Sequence, residues 1–521
     1  MSRAGGLPKL AQYFLPSLSQ MVFLVVFIAC LTGSGGFLLG DGDTGYHIRA
    51  GEIILKDLAV PRHDPFSFIT PPLPWTAHEW LSEVVMAIVH KAMGLPGIVL
   101  LFALLLSTTY WLLSRWIRSS RRNILVDLLI LVLVLLSSRI HWHARPHAFS
   151  LLLVVLLYLI LILHKENRGN YLYVIPPMMF LWVNLHGGFI VGFLFMGIFL
   201  SGYFLGFLSS NGEERSVFAS KGKRLSIVCA AAVLAACVNP NGIQAFLFPF
   251  RLLSESYLMD RVQEFMSPNF HDAVPYRYLL LFLIGILGLS KAGLTASELM
   301  LVLFFTSMSL YSGRYIPLCS IVYAPILSKY GDILIQQYEG RGSGLLRQRS
   351  RAYGEIDASA KGYAIPLVVL VVFVALVTGK IQVRFPEKTA SKAAIDFLRT
   401  NPIQGNMFNH DEIGDYVIYW LYPRYKVFVD GRLDMYGTRI LKEYEEVISL
   451  EPGWRHVLVK YDINFVFFYT DSLLSNILSS DAGWKRIYND NVASIFLRNT
   501  PGNANVISRY LDGGRGPTQG H

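Results

Sequence analysis

The sequence predicts a polytopic α-helical membrane protein that carries a small α/β domain near its C-terminal end. Three observations lead there. The 521 residues are 53% hydrophobic and only 16% charged, whereas soluble domains carry roughly 25% charged residues. Apolar runs long enough to cross a bilayer recur through the first three-quarters of the chain. Residues 385–498 then change character, to short helix-type and strand-type segments in alternation.

Residues 1–20 are a short tail with Arg3 and Lys9, and residues 21–39 are the first span. No A-x-A cleavage pattern follows it and further spans come later, so it reads as a retained helix and not a signal peptide. Residues 40–80 form a polar loop, and 83–93 an amphipathic helix at the membrane interface. Apolar runs follow at 96–113, 124–136, 148–163, 171–183, 189–208, 225–238, 278–289, 299–310, 315–327 and 363–378. About 11 transmembrane helices are therefore expected.

The net charge of +10 points to orientation and not to a nucleic-acid partner, because the basic residues gather in short loops between spans. Arg115, Arg118, Arg121 and Arg122 mark one inner loop; Lys329, Arg341, Arg347, Arg349, Arg351 and Lys361 mark another. This bias puts the N-terminus in the cytoplasm and the C-terminal domain outside, in a cell membrane of the bacterial inner-membrane kind. The four cysteines, Cys30, Cys229, Cys237 and Cys319, lie in apolar segments without metal-ligand spacing and read as small hydrophobes.

Three regions are expected: a membrane domain over 1–380 that includes the outer loop 40–95, an α/β domain over 385–498, and a disordered Gly/Asn/Pro-rich tail over 499–521. Within the α/β domain, helices are expected at 391–400 and 440–450, and strands at 425–430, 464–469 and 493–498.

The candidate site residues crowd the outer face. Seven of the thirteen histidines (His47, His63, His78, His141, His143, His147 and His186) fall in or beside three outer loops. Asp41 and Asp43 follow the first span directly. A carboxylate in the interface needs water, a cation or a proton donor. This pair suits either a divalent ion bound through oxygen, Mg or Mn, or a general base acting on an acceptor hydroxyl. Tyr46, His47, His78 and Glu79 lie close by in sequence, with Glu79 placed to orient His78 or take a proton. Arg139, His141, His143, Arg145 and His147 share one short loop. Arginine with histidine suits a phosphate; the H-x-H spacing also leaves zinc open. His186, before two glycines, and Arg314, after Tyr311-Ser-Gly, are further candidates for the cavity and for a lipid phosphate. Asp260 and Glu264 read as surface charges. Asp430-Gly-Arg432 reads as a turn with a local salt bridge, or as a segment that reaches the outer site.

Residues 41–94 also carry a recognisable pattern. An acid closes the first span, followed by Y-H-I-R-A-G-E-I-I, then V-P-R-H-D-P-F, then P-W-T-A-H-E-W-L, then an amphipathic helix ending in M-G. This resembles the first extracytoplasmic loop of the GT-C class of integral membrane glycosyltransferases, with the arrangement of protein O-mannosyltransferases and lipid A aminoarabinose transferases. The similarity covers the first ~95 residues; beyond them only the many-span layout and the outer C-terminal domain match. The resemblance implies a polyprenyl-phosphate-linked sugar donor drawn from the bilayer, and an acid after the first span at the catalytic centre. Asp43 matches that acid best and Asp41 second. The acceptor, a glycan, lipid or protein, is not specified. The family's adjacent pair of acids is replaced here by Asp43-Thr44, which bears on metal use. The alternative is a lipid or glycolipid transporter. Transporters place polar or broken helices at mid-membrane, whereas here the polar groups gather at the outer face.

Overall fold

The computed structural model describes residues 9–32, 37–120, 122–338, 344–389 and 391–511. Its chain divides into two compact units: Met1–Phe37 with Pro96–Gln382, and Leu38–Leu95 with Val383–His521. The expectation had placed residues 40–95 in the membrane domain. They pack instead with the C-terminal segment, because the buried face of the helix Asp43–Asp57 is completed by side chains from beyond residue 383.

The first unit is helical. Among the described residues, five helices are long and apolar enough to cross a membrane: Trp80–Ser119, Ile124–His141, His147–Lys165, Phe189–Ser209 and Gly313–Gln337. A bent pair, Gln348–Ser359 with Ala364–Val377, would make a sixth. Shorter apolar helices run over Leu18–Leu31, Leu172–Leu185, Val274–Leu289 and Ala296–Tyr311. The expected count of about 11 is thus not reached by helices of spanning length. The helix Leu18–Leu31 ends at Thr32, where the sequence turns to Thr-Gly-Ser-Gly-Gly. Trp80–Ser119 is two helices joined at Gly94, where φ is +64° and only glycine fits without strain. The break separates the amphipathic stretch from the span that begins at Pro96. Asp127, fully buried, is neutralised by Arg118 at 2.7 Å and accepts from Ser328 at 2.6 Å.

The second unit is built on a four-stranded sheet of order β1-β2-β4-β3, with β1 Asn406–Asn409, β2 Ile463–Tyr469, β3 Trp484–Asn489 and β4 Ala493–Arg498. β1 and β2 are parallel; β4 is antiparallel to both β2 and β3. β2 is apolar on both faces, as expected of a strand covered on both sides. The strands expected at 464–469 and 493–498 are present. The one expected at 425–430 is not: Val427 makes only an isolated bridge to Ser67, whose neighbours offer no further ladder. β1 and β3 were not anticipated: β1 has four residues with Asn at both ends, and β3 carries Lys485 and Arg486 in its middle. Nor was the helix Asp411–Leu421. The expected disordered tail also needs correction: Ala504–Leu511 is a helix whose Ile507 joins the core and whose Tyr510 packs on Phe397. Residues 512–521 lie outside the described residues.

Candidate active site

The centre of the second unit is the helix Asp43–Asp57. Nine of its fifteen residues are buried, Asp43 and His47 among them. Burying a carboxylate and an imidazole costs free energy unless they find partners, so their surroundings carry information. Asp43 is the first helical residue, where the helix dipole favours negative charge. Its backbone N–H donates to Asp41 Oδ1 at 2.9 Å, which satisfies the first amide of the helix.

The helix Asp411–Leu421 lies against this one. A Cβ on Gly45 would come within 2.8 Å of the Asp415 carbonyl oxygen, so only glycine permits the approach. The approach brings the buried Asp415 beside Asp43. Gly431 N–H donates to Asp415 Oδ1 at 3.0 Å. The Asp415 carboxyl is pushed well above the usual carboxylate range, first by burial and then by the charges of Asp43, Asp430 and Asp41.

Asp430 is tied down from the other side. Arg432 donates to it through Nε at 2.9 Å and Nη2 at 2.6 Å, and Nη2 also donates to Asp64 Oδ1 at 2.7 Å. Tyr436 OH adds a bond to Asp430 at 2.8 Å. The expected turn with a local salt bridge at 430–432 is therefore present, but it is buried and includes Asp64 from 366 positions before Asp430. The guanidinium packs against the rings of Trp75 at 4.7 Å, Phe66 at 4.8 Å and Tyr46 at 5.7 Å. Burial alone would raise the Asp64 carboxyl. Arg432, with Ser67 and the Phe66 N–H, outweighs burial and holds it below the usual range.

One turn further along the Asp43 helix, His47 lies between two carboxylates. Its Nδ1 is 3.3 Å from Glu83 Oε1 and its Nε2 is 3.7 Å from Glu79 Oε2. Glu79 Oε1 is in turn 3.8 Å from His78 Nε2. Tyr46 stacks at a tilt on His47, with ring centroids 4.1 Å apart. The structure thus gathers Asp41, Asp43, Tyr46, His47, His78 and Glu79 in one unit. It adds Asp64, Glu83, Asp415, Asp430 and Arg432, of which only the 430–432 pair drew attention in the sequence.

The remaining candidates all lie in the first unit. The ring of His141 is 6.4 Å from that of His143 and 6.0 Å from that of His147, which lies 6.5 Å from that of His186. Trp182 Nε1–H donates to Ser150 Oγ, and both Ser150 Oγ and Gly188 N–H donate to His186 Nδ1 at 2.7 Å and 3.0 Å. Two donors on Nδ1 assign the ring proton of His186 to Nε2. Arg139 stacks on Phe37 at 4.5 Å. Arg145 pairs with Glu264 at 2.7 Å. Glu264 also accepts, through its backbone oxygen, from Arg314 N–H at 3.1 Å and Ser312 Oγ at 3.0 Å. Glu264 is therefore no plain surface charge. Burial would raise its carboxyl, yet Arg145, Arg314, His141 and His147 hold it far below the usual range, which marks a strongly electropositive setting.

Among the described residues, no group of three or more His, Cys, Asp or Glu side chains is arranged to hold a metal ion. Neither the Asp41–Asp43 pair expected to bind Mg or Mn nor the histidines considered for zinc form part of such a group.

No protein-family profile matches the chain. No curated protein sequence matches it either. Solved structures do. The oligosaccharyltransferase of Archaeoglobus fulgidus in its apo form is similar with a TM-score of 0.55 at 11% identity, over 93% of this chain and 75% of that one. The structure of archaeal oligosaccharyltransferase AglB from Archaeoglobus fulgidus, in complex with an inhibitory peptide and a dolichol-phosphate, is similar with a TM-score of 0.56 at 10% identity, over 93% and 74%. At such identity the likeness is one of fold.

Proposed function

We propose that this chain is a membrane glycosyltransferase. It moves a sugar from a polyprenyl-phosphate-linked donor to an acceptor on the extracytoplasmic side. Asp43 takes or orients the proton of the acceptor hydroxyl. The acceptor oxygen bonds to the anomeric carbon as the bond from that carbon to the phosphate oxygen breaks, and the polyprenyl phosphate leaves with the electron pair. A single displacement of this kind inverts the anomeric configuration. In the first unit, Arg139, Arg145 and Arg314 offer positive charge, and His141, His143, His147 and His186 offer ring N–H groups, to a lipid phosphate. His47, with Glu79 and His78, holds the helix that carries Asp43.

The observation that carries this reading is the placement of Asp43. It is a buried carboxylate at a helix N-terminus, on the first segment after an apolar helix, in a chain with an oligosaccharyltransferase-like fold. A donor on a lipid phosphate is also consistent with the similar structure that holds a dolichol-phosphate. The transporter alternative has no such support: the buried acids Asp127 and Glu298 of the first unit are already paired with Arg118 and Lys329.

The test is Asp43→Asn in the purified full chain, with undecaprenyl-phosphate mannose and undecaprenyl-diphosphate N-acetylglucosamine as donors and sugar release as the readout. Loss of a general base costs ~10²–10⁴-fold in rate. Turnover equal to that of the unaltered protein refutes the assignment, and so does absence of release from both donors by the unaltered protein.

A further inference from the structure

We propose that Gly431 and Asp415, both from the C-terminal segment, are positioning residues that fix where the Asp43 carboxylate sits. The inference rests on the glycosyltransferase reading and gives the α/β domain a part in it.

The argument is steric. A Cβ at Gly431 would stand 2.0 Å from Asp43 Oδ1, 3.1 Å from Asp43 Cγ and 2.9 Å from Asp415 Oδ2. The Asp43 carboxyl therefore lies directly on the Gly431 backbone, with Asp415 on the same side. The turn is held from several sides. Its N–H is held by Asp415 Oδ1 at 3.0 Å. Asp430 and Arg432 on either side are buried and locked by the Asp64–Arg432–Asp430 ion pairs and by Tyr436. Asp415 is fixed in turn by the helix approach at Gly45. What can move is the end of the Asp43 side chain. A methyl group at position 431 leaves the fold its cheapest accommodation, a displaced Asp43 carboxylate. Misplacing a reacting group by about 1 Å costs ~10²-fold in rate.

The experiment compares Gly431→Ala, Asp415→Asn, Asp43→Asn and the two doubles with Asp43→Asn, in the full chain with the two undecaprenyl donors named above. Gly502→Ala is the control, since nothing lies within 4 Å of a Cβ there. Gly431→Ala is expected to lower kcat by about 10²-fold while the donor KM stays within about twofold. Each double is expected to match Asp43→Asn alone within about twofold, because residues acting through one another are non-additive. The isosteric Asp415→Asn carries the test if the alanine variant fails to fold. Wild-type kcat in folded Gly431→Ala and Asp415→Asn overturns the inference. So do doubles whose losses multiply, since that places the two residues outside the action of Asp43. If Asp43→Asn itself is silent, the functional reading falls; if it is inactive while the other two single variants are silent, only the positioning role falls.

Discussion

The buried guanidinium of Arg432 is expected to contribute more to stability than any other ion-paired group in the second unit, and Arg432→Met measures it. The side chains of Asp64 and Asp430 have no exposed surface and that of Arg432 is 3% exposed. Methionine fills much of the volume between Phe66, Trp75 and Tyr46 but leaves two carboxylates without their cation. Removing one partner of a buried pair costs about 3–5 kcal/mol. The lower end applies, because Asp64 keeps bonds from Phe66 N at 2.9 Å and Ser67 N at 3.0 Å, and Asp430 keeps the Tyr436 hydroxyl. A loss of about 3 kcal/mol lowers Tm by roughly 6–12 °C in a unit of 150–250 residues. Thermal unfolding of the detergent-purified chain, followed by tryptophan fluorescence, reads this directly, since Trp75 lies on the guanidinium. Adding Asp64→Asn removes one stranded charge and is expected to recover about 1 kcal/mol or more. An Arg432→Met variant within about 1 kcal/mol of the parent refutes the reasoning, because surface pairs reach no more than that.

Two further outcomes follow from the same geometry. The Asp64 carboxyl is depressed in the fold, so its contribution is present above the unfolded value of ~3.9 and is lost as pH falls through the lower folded value; the gap in Tm between Arg432→Met and the parent should therefore narrow below about pH 4, and a gap that widens there contradicts the assignment. In the first unit, Arg145→Ala removes a cation held at 2.7 Å by Glu264 and is expected to weaken binding of undecaprenyl phosphate by about 1.5–3 kcal/mol, the range for a charge-assisted hydrogen bond, measured by equilibrium binding of the radiolabelled lipid; unchanged affinity removes Arg145 from the phosphate site.

Some of the molecule was legible because it is written in local pattern. The apolar runs at 124–136 and 189–208 became helices of spanning length, since such a run in a bilayer has no other way to satisfy its backbone. β2 and β4 appeared where apolar β-branched and aromatic residues cluster. The 425–430 segment has the same composition and is no strand, because a strand needs a neighbouring ladder and composition cannot supply one. Asp43 drew attention in the sequence from its place after an apolar run, and the structure buries it at the start of its helix. Asp415 drew none: it lies inside a helix that the sequence reading missed, 372 positions away, with only the unusual G-D-Y in an apolar helix as a signal. Glu264 was misjudged for a related reason, since its partner Arg145 lies 119 residues earlier.

By itself the sequence determined that this chain belongs in a membrane, which end carries an α/β domain, and which acid opens the first polar segment. Those properties depend on hydrophobicity and on neighbours within a turn or two. Only the tertiary structure decided that residues 38–95 pack with the C-terminal segment, that Arg432 neutralises Asp64 as well as Asp430, and that Gly431 lies under the Asp43 carboxylate. Each of these is a contact across more than 300 residues, made where a glycine lets two backbones meet or where a buried charge requires its counter-charge, and a requirement of that kind names a partner's chemistry without naming its position.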